Sequence, residues 1–277
     1  MGLFGREEGE RVRNLSPLRQ MVPYLMVGRN ESAVYFQQQI DVDPVLAFVD
    51  AQNVGVDPED RMTFFHVVLA AAVRVLAERE QLNRFVINRR LYARKKISLS
   101  FAVKKKFADD GRLTTVKIDF APTDRLADVS RKVREAVSVG KGKDKTSSEK
   151  EMDLVLKIPG FLLKGAMRAL AFLDGLNLIP NAMIRQDPMY ASMFLANLGS
   201  IGLDAPYHHL YEYGTIPLFV VIGKIKKAPV VTADDQLAVG RVAEVRYTFD
   251  ERITDGYYAA RSLEIFERLI AHPQELV

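Results

Sequence analysis

The sequence predicts a mixed α/β fold, in which helices pack against a mixed sheet. Segments with the alternation typical of strands and segments with helical spacing follow one another, without the regular period of parallel βαβ units. Two segments form the centre of this prediction. Residues 63–79 are apolar on nearly every side, as in a buried helix, and residues 218–225 form an apolar run, as in a central strand.

The composition excludes several classes of function. Hydrophobic residues make up 48% and charged residues 27%, an ordinary globular mixture, and the net charge of +4 is too small an excess to predict a nucleic-acid partner. The chain has no cysteine, which excludes disulfides and thiolate catalysis. The N-terminus lacks the apolar region of a secretory signal, and no apolar run approaches the ~18 residues of a spanning helix. We therefore expect a soluble cytoplasmic protein, without membrane contact.

The domain prediction is simple. Residues 1–15 are charged and contain glycine, which indicates a flexible arm. Residues 16–277 are predicted to form a single domain. Within it, residues 140–151 are charged, small and aperiodic, so we expect a mobile loop there that serves as a linker rather than a lid.

In the first half of the chain, strands and helices are both predicted. Helices are expected to begin at Ser16-Pro17, at Asp43-Pro44 and at Asp124, besides the buried helix. Strands are expected over residues 33–42, 85–88, 97–104 and 113–120, the last two joined by a hairpin turn at Asp110-Gly111. His66, on the buried helix, is interpreted as a core or interface histidine rather than a ligand.

Residues 152–178 are strongly apolar, and three interpretations are open. The segment could form one wall of an acyl-chain pocket, a membrane-facing helix, or a helix packed in the core or at a subunit interface, which is the favoured interpretation. A short strand, residues 193–198, then leads into the turn Gly199-Ser200-Ile201-Gly202.

The most informative segment lies near the C-terminus. Val245, Tyr247 and Phe249 alternate as in a half-buried strand, and residues 257–271 have helical spacing. The polar turn between them, residues 250–256, carries charged groups that need partners if they are buried. The alternative is an ordinary solvated turn.

This turn resembles the D-H-R-x-x-D-G signature of the acyltransferase (dihydrolipoyl transacylase) catalytic domain of 2-oxoacid dehydrogenase complexes. It also resembles the shorter H-x-x-x-D-G of chloramphenicol acetyltransferase. Asp250, Arg252, Asp255 and Gly256 match, whereas Glu251 stands in place of the signature histidine. The resemblance extends in family order from about Leu15 to Val277, and residues 195–202, LANLGSIG, are similar to the family's S-N-L-G-x-x-G turn.

The resemblance implies a chloramphenicol acetyltransferase-like fold that works as a homotrimer, with each active site between two subunits. Coenzyme A enters one end of a channel and the acyl acceptor the other. The family histidine acts as general base, and a hydroxyl near the S-N-L-G turn stabilises the oxyanion. The signature aspartate, here Asp255, is structural and pairs with an arginine, which would be Arg19 or a neighbour.

The resemblance also suggests further site residues. Asn197 matches the asparagine of the family turn. Gly199, Ser200 and His208 are candidate contacts of a coenzyme A ester, with His208 in a loop beside the channel mouth. The run from His208 to Glu212 places two histidines and a carboxylate close together, but this spacing matches no established metal site, and no metal is expected.

Two catalytic positions of this pattern are replaced together. A glutamate normally titrates about two units below histidine, so Glu251 is a poor general base unless burial raises its pKa. Ala196 stands where the hydroxyl residue is expected, and the loss of one oxyanion donor typically costs about 100- to 1000-fold in rate. Whether the protein is an enzyme is therefore left open.

Two hypotheses follow. The chain is either an acyltransferase-like domain with an altered or lost transfer site that still binds a coenzyme A ester or acyl group, or a non-catalytic structural protein. No lipoyl attachment is expected in this chain. In the resembling family the apolar C-terminal tail joins trimers into cages, and Leu276 and Val277 could do the same here.

Overall fold

A computed structural model describes residues 6–104, 113–141, 155–232 and 234–277 and has a mixed α/β architecture. The strands, in chain order, are β1 (Gly9–Arg11), β2 (Ala33–Asp41), β3 (Arg84–Ile87), β4 (Arg90–Arg94), β5 (Ile97–Lys104), β6 (Leu113–Phe120), β7 (Met193–Asn197), β8 (Leu218–Val231) and β9 (Leu237–Asp250). The helices of the described segments are α1 (Pro17–Leu25), α2 (Asp43–Gln52), α3 (Phe64–Glu78), α4 (Leu126–Lys141), α5 (Gly160–Gly175), α6 (Asn181–Gln186) and α7 (Gly256–Ala271).

The main sheet has six strands in the order β2-β9-β8-β7-β5-β6. The central strand β7 runs parallel to β8 and β5, and all other neighbours are antiparallel. The sheet is therefore mixed, as the sequence predicted. The two longest strands, β8 and β9, form a hairpin that continues well beyond the other strands, and its distal part is largely exposed.

Helices α3, α4 and α7 cover one face of the main sheet and enclose the principal core. The predicted buried helix is confirmed, because nearly every side chain of α3 is removed from solvent. His66 lies in its first turn, 8% exposed, and its Nδ1 accepts a hydrogen bond of 2.9 Å from the backbone N–H of Thr63. Burial, with Arg134 nearby, lowers the pKa of His66 to about 4, so this core histidine is neutral.

The opposite face of the sheet is covered by the extended chain between β7 and β8. Leu210 and Ile216 of this segment pack on Phe194 and Phe219 of the sheet in a second, smaller apolar cluster. This segment carries the two histidines that the sequence analysis singled out. It therefore brings them against the sheet, close to the end of β9.

From Arg6 onward, the N-terminal segment is held in place rather than forming the flexible arm that its composition predicts. Strand β1 pairs with β4 in a second sheet of order β1-β4-β3. Glu8 is buried and forms ion pairs with Arg6 and Arg94, and it also accepts a hydrogen bond of 2.6 Å from the hydroxyl of Thr215. The charged side chains of Arg6 and Glu8 therefore belong to a buried network of ion pairs and are not solvated.

Other sequence predictions have mixed outcomes. Helix α5 lies within the predicted apolar segment, but Asp174 is its one buried residue, and Leu170 packs against the small cluster of Ile179, Ile184 and Tyr190. The sequence analysis missed β1 and β4 and predicted only part of β8 and β9. The predicted hairpin turn at Asp110-Gly111 and most of the predicted loop at 140–151 lie outside the described residues.

In the described segments, no helix is both long enough and apolar enough to cross a bilayer.

Candidate active site

The turn between β9 and α7 is built on a buried ion pair. Asp250 is fully buried and Arg252 is 4% exposed. Nε and Nη2 of Arg252 each donate a hydrogen bond of 2.8 Å to the Asp250 carboxylate, one to each oxygen, an arrangement that is strong and geometrically specific. The remaining nitrogen, Nη1, donates to the carbonyl oxygens of Met26 and Val27, at 3.2 and 2.7 Å. The turn is therefore not a solvated one.

A second buried arginine, Arg29, joins the segment before β2 to the chain before β8. The Arg29 guanidinium donates hydrogen bonds to the carbonyl oxygens of Tyr211 and Glu212, at 3.3 and 2.5 Å. The Glu212 carboxylate in turn accepts the backbone N–H groups of Arg29 and Asn30, at 3.1 and 3.0 Å. Burial raises the pKa of Glu212, but these donors and the Arg29 charge outweigh it, so the pKa of Glu212 is lowered overall.

Glu251 is held at its backbone. Its N–H donates to the carbonyl oxygen of Ser32, and its own carbonyl oxygen accepts from Nη1 of Arg19, both at 2.9 Å. The side chain is half-buried. Within the described residues, its carboxylate forms no hydrogen bond or ion pair. Position 251 is thus rigid in its backbone, with a carboxylate free to meet a ligand or a second subunit.

Asp255 caps helix α7, and it is not buried. Its Oδ1 accepts a hydrogen bond of 2.8 Å from the N–H of Tyr258, which satisfies one free donor of the first helical turn. Its Oδ2 lies 3.7 Å from Nη2 of Arg19, so the arginine beside Asp255 is Arg19. The side chain of Asp255 is 63% exposed in the single chain. The buried pair of this turn is therefore Asp250–Arg252, whereas Asp255 is exposed in the isolated subunit and lies beside Arg19.

The turn after β7 is shaped by contacts among its own residues. Oδ1 of Asn197 accepts from the N–H of Ser200 at 3.2 Å, and Oγ of Ser200 donates to the carbonyl oxygen of Asn197 at 2.7 Å. A Cβ on Gly199 would lie 2.5 Å from the carbonyl oxygen of Gly223 in β8, so only glycine fits at this close approach. Ala196, just before the turn, offers no hydroxyl. The roles of Asn197, Gly199 and Ser200 toward a ligand stay predictions.

His208 lies on an aromatic surface at the covered face of the sheet. Its ring stacks on Phe219 with a centroid separation of 3.8 Å, and its Nδ1 is 2.7 Å from the carbonyl oxygen of His209. Burial lowers the pKa of His208. Since Glu212 is engaged by the chain before β2, it is not gathered with the histidines as a ligand. Among the described residues, no three histidine or carboxylate side chains are placed to hold a metal ion.

An arginine-lined cleft of about 560 Å³ adjoins the turn. No carboxylate lines it, and four of its arginines have no ion pair within the described residues. The arginines of its wall come from β1, the segment after it, α1 and the β3–β4 turn: Arg11, Arg13, Arg19, Arg89 and Arg90. Arg89 also lies 5.4 Å from the ring of Tyr24. The sequence analysis missed this cleft because its residues are dispersed over about 80 positions of the chain.

The family model described as 2-oxoacid dehydrogenases acyltransferase (catalytic domain) matches residues 7–153 and 185–277. This chain belongs to that acyltransferase family. The match confirms the family that the turn at residues 250–256 suggested. It leaves out residues 154–184, the segment that carries α5 and the start of α6.

Solved structures show the same fold. A probable dihydrolipoamide acetyltransferase from Listeria monocytogenes is 15% identical, with a TM-score of 0.62 and 95% of each chain covered. The cubic core of a pyruvate dehydrogenase multienzyme complex is 16% identical, with a TM-score of 0.61 and coverage of 96% of this chain and 94% of the other. A chloramphenicol acetyltransferase is 11% identical, with a TM-score of 0.57 and coverage of 95% and 98%. No curated protein matches.

These likenesses confirm the predicted chloramphenicol acetyltransferase-like fold of this acyltransferase-family chain. The structure also adds site residues that the sequence analysis did not assign. Arg29 and Glu212 join the segment before β2 to the chain before β8, and Arg19 contacts both Glu251 and Asp255. A sequence signal existed for Arg19, which the resemblance offers as a partner of Asp255. No local pattern marked Glu212 as the partner of Arg29.

Proposed function

We propose that this acyltransferase-family chain forms homotrimers, binds a coenzyme A ester or its acyl group beside the Glu251 turn, and has an altered or lost transfer site. The observation that carries the proposal is that Glu251 and Ala196 stand where the resemblance implies the family base and hydroxyl, in a turn held by the Asp250–Arg252 pair and by Arg19. The resemblance implies that these two positions lie at the reacting centre.

The histidines of the chain support the loss of base catalysis. His66 serves the first turn of α3 and is neutral, and His272 caps the end of α7. His208 and His209 each direct Nδ1 at a neighbouring carbonyl oxygen, at 2.7 and 2.9 Å. These four are all the histidines of the sequence. None of these contacts resembles a base poised beside the signature turn.

The arginine-lined cleft supports retained binding of a coenzyme A ester. Coenzyme A carries a diphosphate and a separate phosphate, and arginine recognises phosphate through two parallel hydrogen bonds. Arg19 connects the cleft to the turn, since it lines the cleft and donates to the carbonyl oxygen of Glu251. A ligand with phosphates in the cleft would therefore have its acyl end within reach of position 251.

The test is calorimetry with acetyl-coenzyme A on the purified protein, combined with an acetyl-transfer assay to dihydrolipoamide. We expect binding that weakens at least about tenfold in Arg89→Glu, because a charge reversal repels phosphate. Lys227→Glu, an exposed reversal on β8, is the matched control and should bind like the wild type. Transfer should be slower than in an enzyme with the family histidine and hydroxyl by at least about 100-fold. No binding heat would refute the ligand-binding proposal.

A second candidate function is a non-catalytic scaffold, and the likeness to the cubic core of a multienzyme complex favours considering it. Leu276 is 2% exposed and packs in the core of its own chain, whereas Val277 is 62% exposed. Of the two residues, Val277 is therefore the one available to join trimers. Light scattering decides between the candidates: many subunits without ester binding support the scaffold, and a trimer that binds the ester supports the ligand-binding protein.

A further inference from the structure

Helix α5 displays an apolar surface that its own chain does not cover. The segment from Leu156 to Leu173 has large apolar side chains in solvent, including Phe161 at 77% and Phe172 at 66% exposure. An exposed apolar surface of this extent marks a contact with something outside the chain. The family match leaves out residues 154–184, so this surface is not part of the family pattern.

The helix is nevertheless fixed in orientation. Asp174, near its C-terminal end, is buried: Oδ1 accepts from Nη1 of Arg6 at 2.6 Å and Oδ2 from the hydroxyl of Tyr190 at 2.8 Å. Leu163 and Leu170 lie eleven and four positions before Asp174 and are half-buried, so they mark the inner side. The opposite side of α5 is held facing away from the protein.

The outward side combines aromatic rings with positive charge. Phe161 and Phe172 are eleven positions apart, about three helical turns, so their rings point in the same direction. Lys164 and Arg168, an i,i+4 pair, lie on the flank beside them and are exposed. Residues 155–173 contain three cations and no acidic residue, and the first carboxylate after them, that of Asp174, faces inward. The outer surface of α5 therefore carries positive charge alone.

We propose that α5 binds an anionic lipid surface, with its axis in the plane of that surface. A helix with aromatic and aliphatic residues on one side and cations beside them buries its apolar face at the lipid–water boundary and attracts anionic headgroups. Its 16 residues extend about 24 Å, less than the ~30 Å of the hydrocarbon core, so the helix lies on the membrane. Asp174, tied to Arg6 and Tyr190, anchors the helix to the body of the protein.

The charge of this surface favours lipid over a twofold contact between copies of the chain. In a twofold contact, the same patch of two copies lies against itself. The cations of one α5 would then face the cations of the other, without an outward carboxylate on the segment to pair them. The proposal concerns a surface apart from the Glu251 turn, so it stands whether or not a coenzyme A ester binds there.

The experiment is sedimentation of the full-length protein with two kinds of vesicle. One kind is pure phosphatidylcholine, and the other contains equal parts phosphatidylcholine and phosphatidylglycerol. We expect at least about tenfold stronger partitioning to the anionic vesicles, because several cations of α5 would lie near an anionic surface. Partitioning should weaken as the salt concentration is raised. The double variant F161S/F172S and the double variant K164E/R168E should each lose at least about tenfold in partitioning.

Val54→Ser, which changes a similarly exposed apolar residue after α2, is the matched control and should partition like the wild type. Circular dichroism melts of each variant verify that the fold persists. Equal partitioning to both vesicles, or partitioning unaffected by the α5 variants, would overturn the proposal. A third outcome would also overturn it. If the wild-type protein does not bind vesicles and the F161S/F172S variant has a lower native mass than the wild type, a second copy of the chain covers the helix.

Discussion

At the scale of single residues, the signature turn contrasts two aspartates that a sequence motif treats alike. Asp250 is buried against a guanidinium, whereas Asp255 is exposed at a helix start. Removing one member of a buried pair leaves an uncompensated charge, while removing a cap only frees a solvated backbone group. The two residues should therefore contribute very differently to stability.

The first prediction compares Asp250→Ala with Asp255→Ala by urea unfolding. Asp250→Ala should lower the free energy of unfolding by about 3–5 kcal/mol, because Arg252 is left buried without its partner. Asp255→Ala should cost only about 1 kcal/mol, through loss of the α7 cap. Equal, large losses in both variants would indicate that Asp255 is buried in the assembled protein.

The second prediction uses His66 as a pH-dependent group. Its folded pKa of about 4 lies below the ordinary value of 6.5, so the unfolded chain takes up a proton first as pH falls. The stability that neutral His66 provides is fully present above pH 6.5 and is lost as pH falls toward 4. Between pH 6.5 and 5 this amounts to about 2 kcal/mol, at 1.36 kcal/mol for each pH unit.

His66→Gln is the variant that isolates this effect. Glutamine cannot titrate, but its side-chain oxygen can accept the N–H of Thr63 as the third helical residue of a capping box. Unfolding by urea at several pH values should show a smaller loss between pH 6.5 and 5 for the variant than for the wild type. Parallel curves would mean that another group carries the pH dependence.

At the residue scale, the sequence predicted only some of the contacts in the candidate site. The sequence predicted that charges in the turn need partners if they are buried, and the resemblance offered Arg19 or a neighbour for Asp255. Neither could assign Arg252 to Asp250, or Glu212 to the N–H groups of Arg29 and Asn30. The last contact joins positions more than 180 apart in the chain, and only the folded sheet brings them together.

At the scale of elements, β1 is the strand whose structure differs most from what its amino-acid composition predicts. Its three residues, Gly9 to Arg11, have no apolar alternation, and the charges before it suggested a solvated arm. Burial of Glu8 with Arg6 and Arg94 explains why these charges are present. By contrast, α3 and the first part of β8 were predicted well, because a continuous apolar run indicates burial without knowledge of the partners.

The third prediction follows from this element. Deletion of residues 1–11 should lower the free energy of unfolding by about 3–5 kcal/mol, because Arg94 and Asp174 lose their buried counter-charges. Deletion of residues 2–5 is the control, since it leaves Arg6 and Glu8 in the chain. Thermal melts of the two deletions provide the comparison. If the protein without residues 1–11 melts at the same temperature as the wild type, these residues are a dispensable arm.

At the scale of the whole molecule, the C-terminal tail joins stability to assembly. Leu276 packs against the principal core, and Val277 reaches solvent. The fourth prediction is that Leu276→Ala lowers the free energy of unfolding by about 2–5 kcal/mol, as for other buried leucines, while deletion of Val277 leaves it unchanged. Urea unfolding and light scattering on the same samples test this. If Leu276→Ala changes the native mass but leaves the free energy of unfolding at the wild-type value, Leu276 joins trimers instead of packing in the core.

The order of strands in the main sheet was beyond sequence periodicity, which identifies strands but not their neighbours. Family resemblance supplied the architecture in this case. The position of α5 was beyond both, because an apolar sequence suits a pocket wall, a membrane surface, a core or a subunit interface. Its placement, with Asp174 inward and Phe161 and Phe172 outward, excludes the centre of the principal core.

The pairing of β2 with β9 has a consequence for how the chain is made. In the described sheet, β2 lies at the edge and pairs only with β9, so Asp41 faces Val242 across about 200 intervening residues. At translation rates of about 5–20 residues per second, roughly 10–40 s separate the emergence of the two strands from the ribosome. During that interval β2 lacks its partner, and nascent-chain chaperones would find an unpaired strand to bind. Emergence of β9 is therefore the event that lets β2 join the sheet.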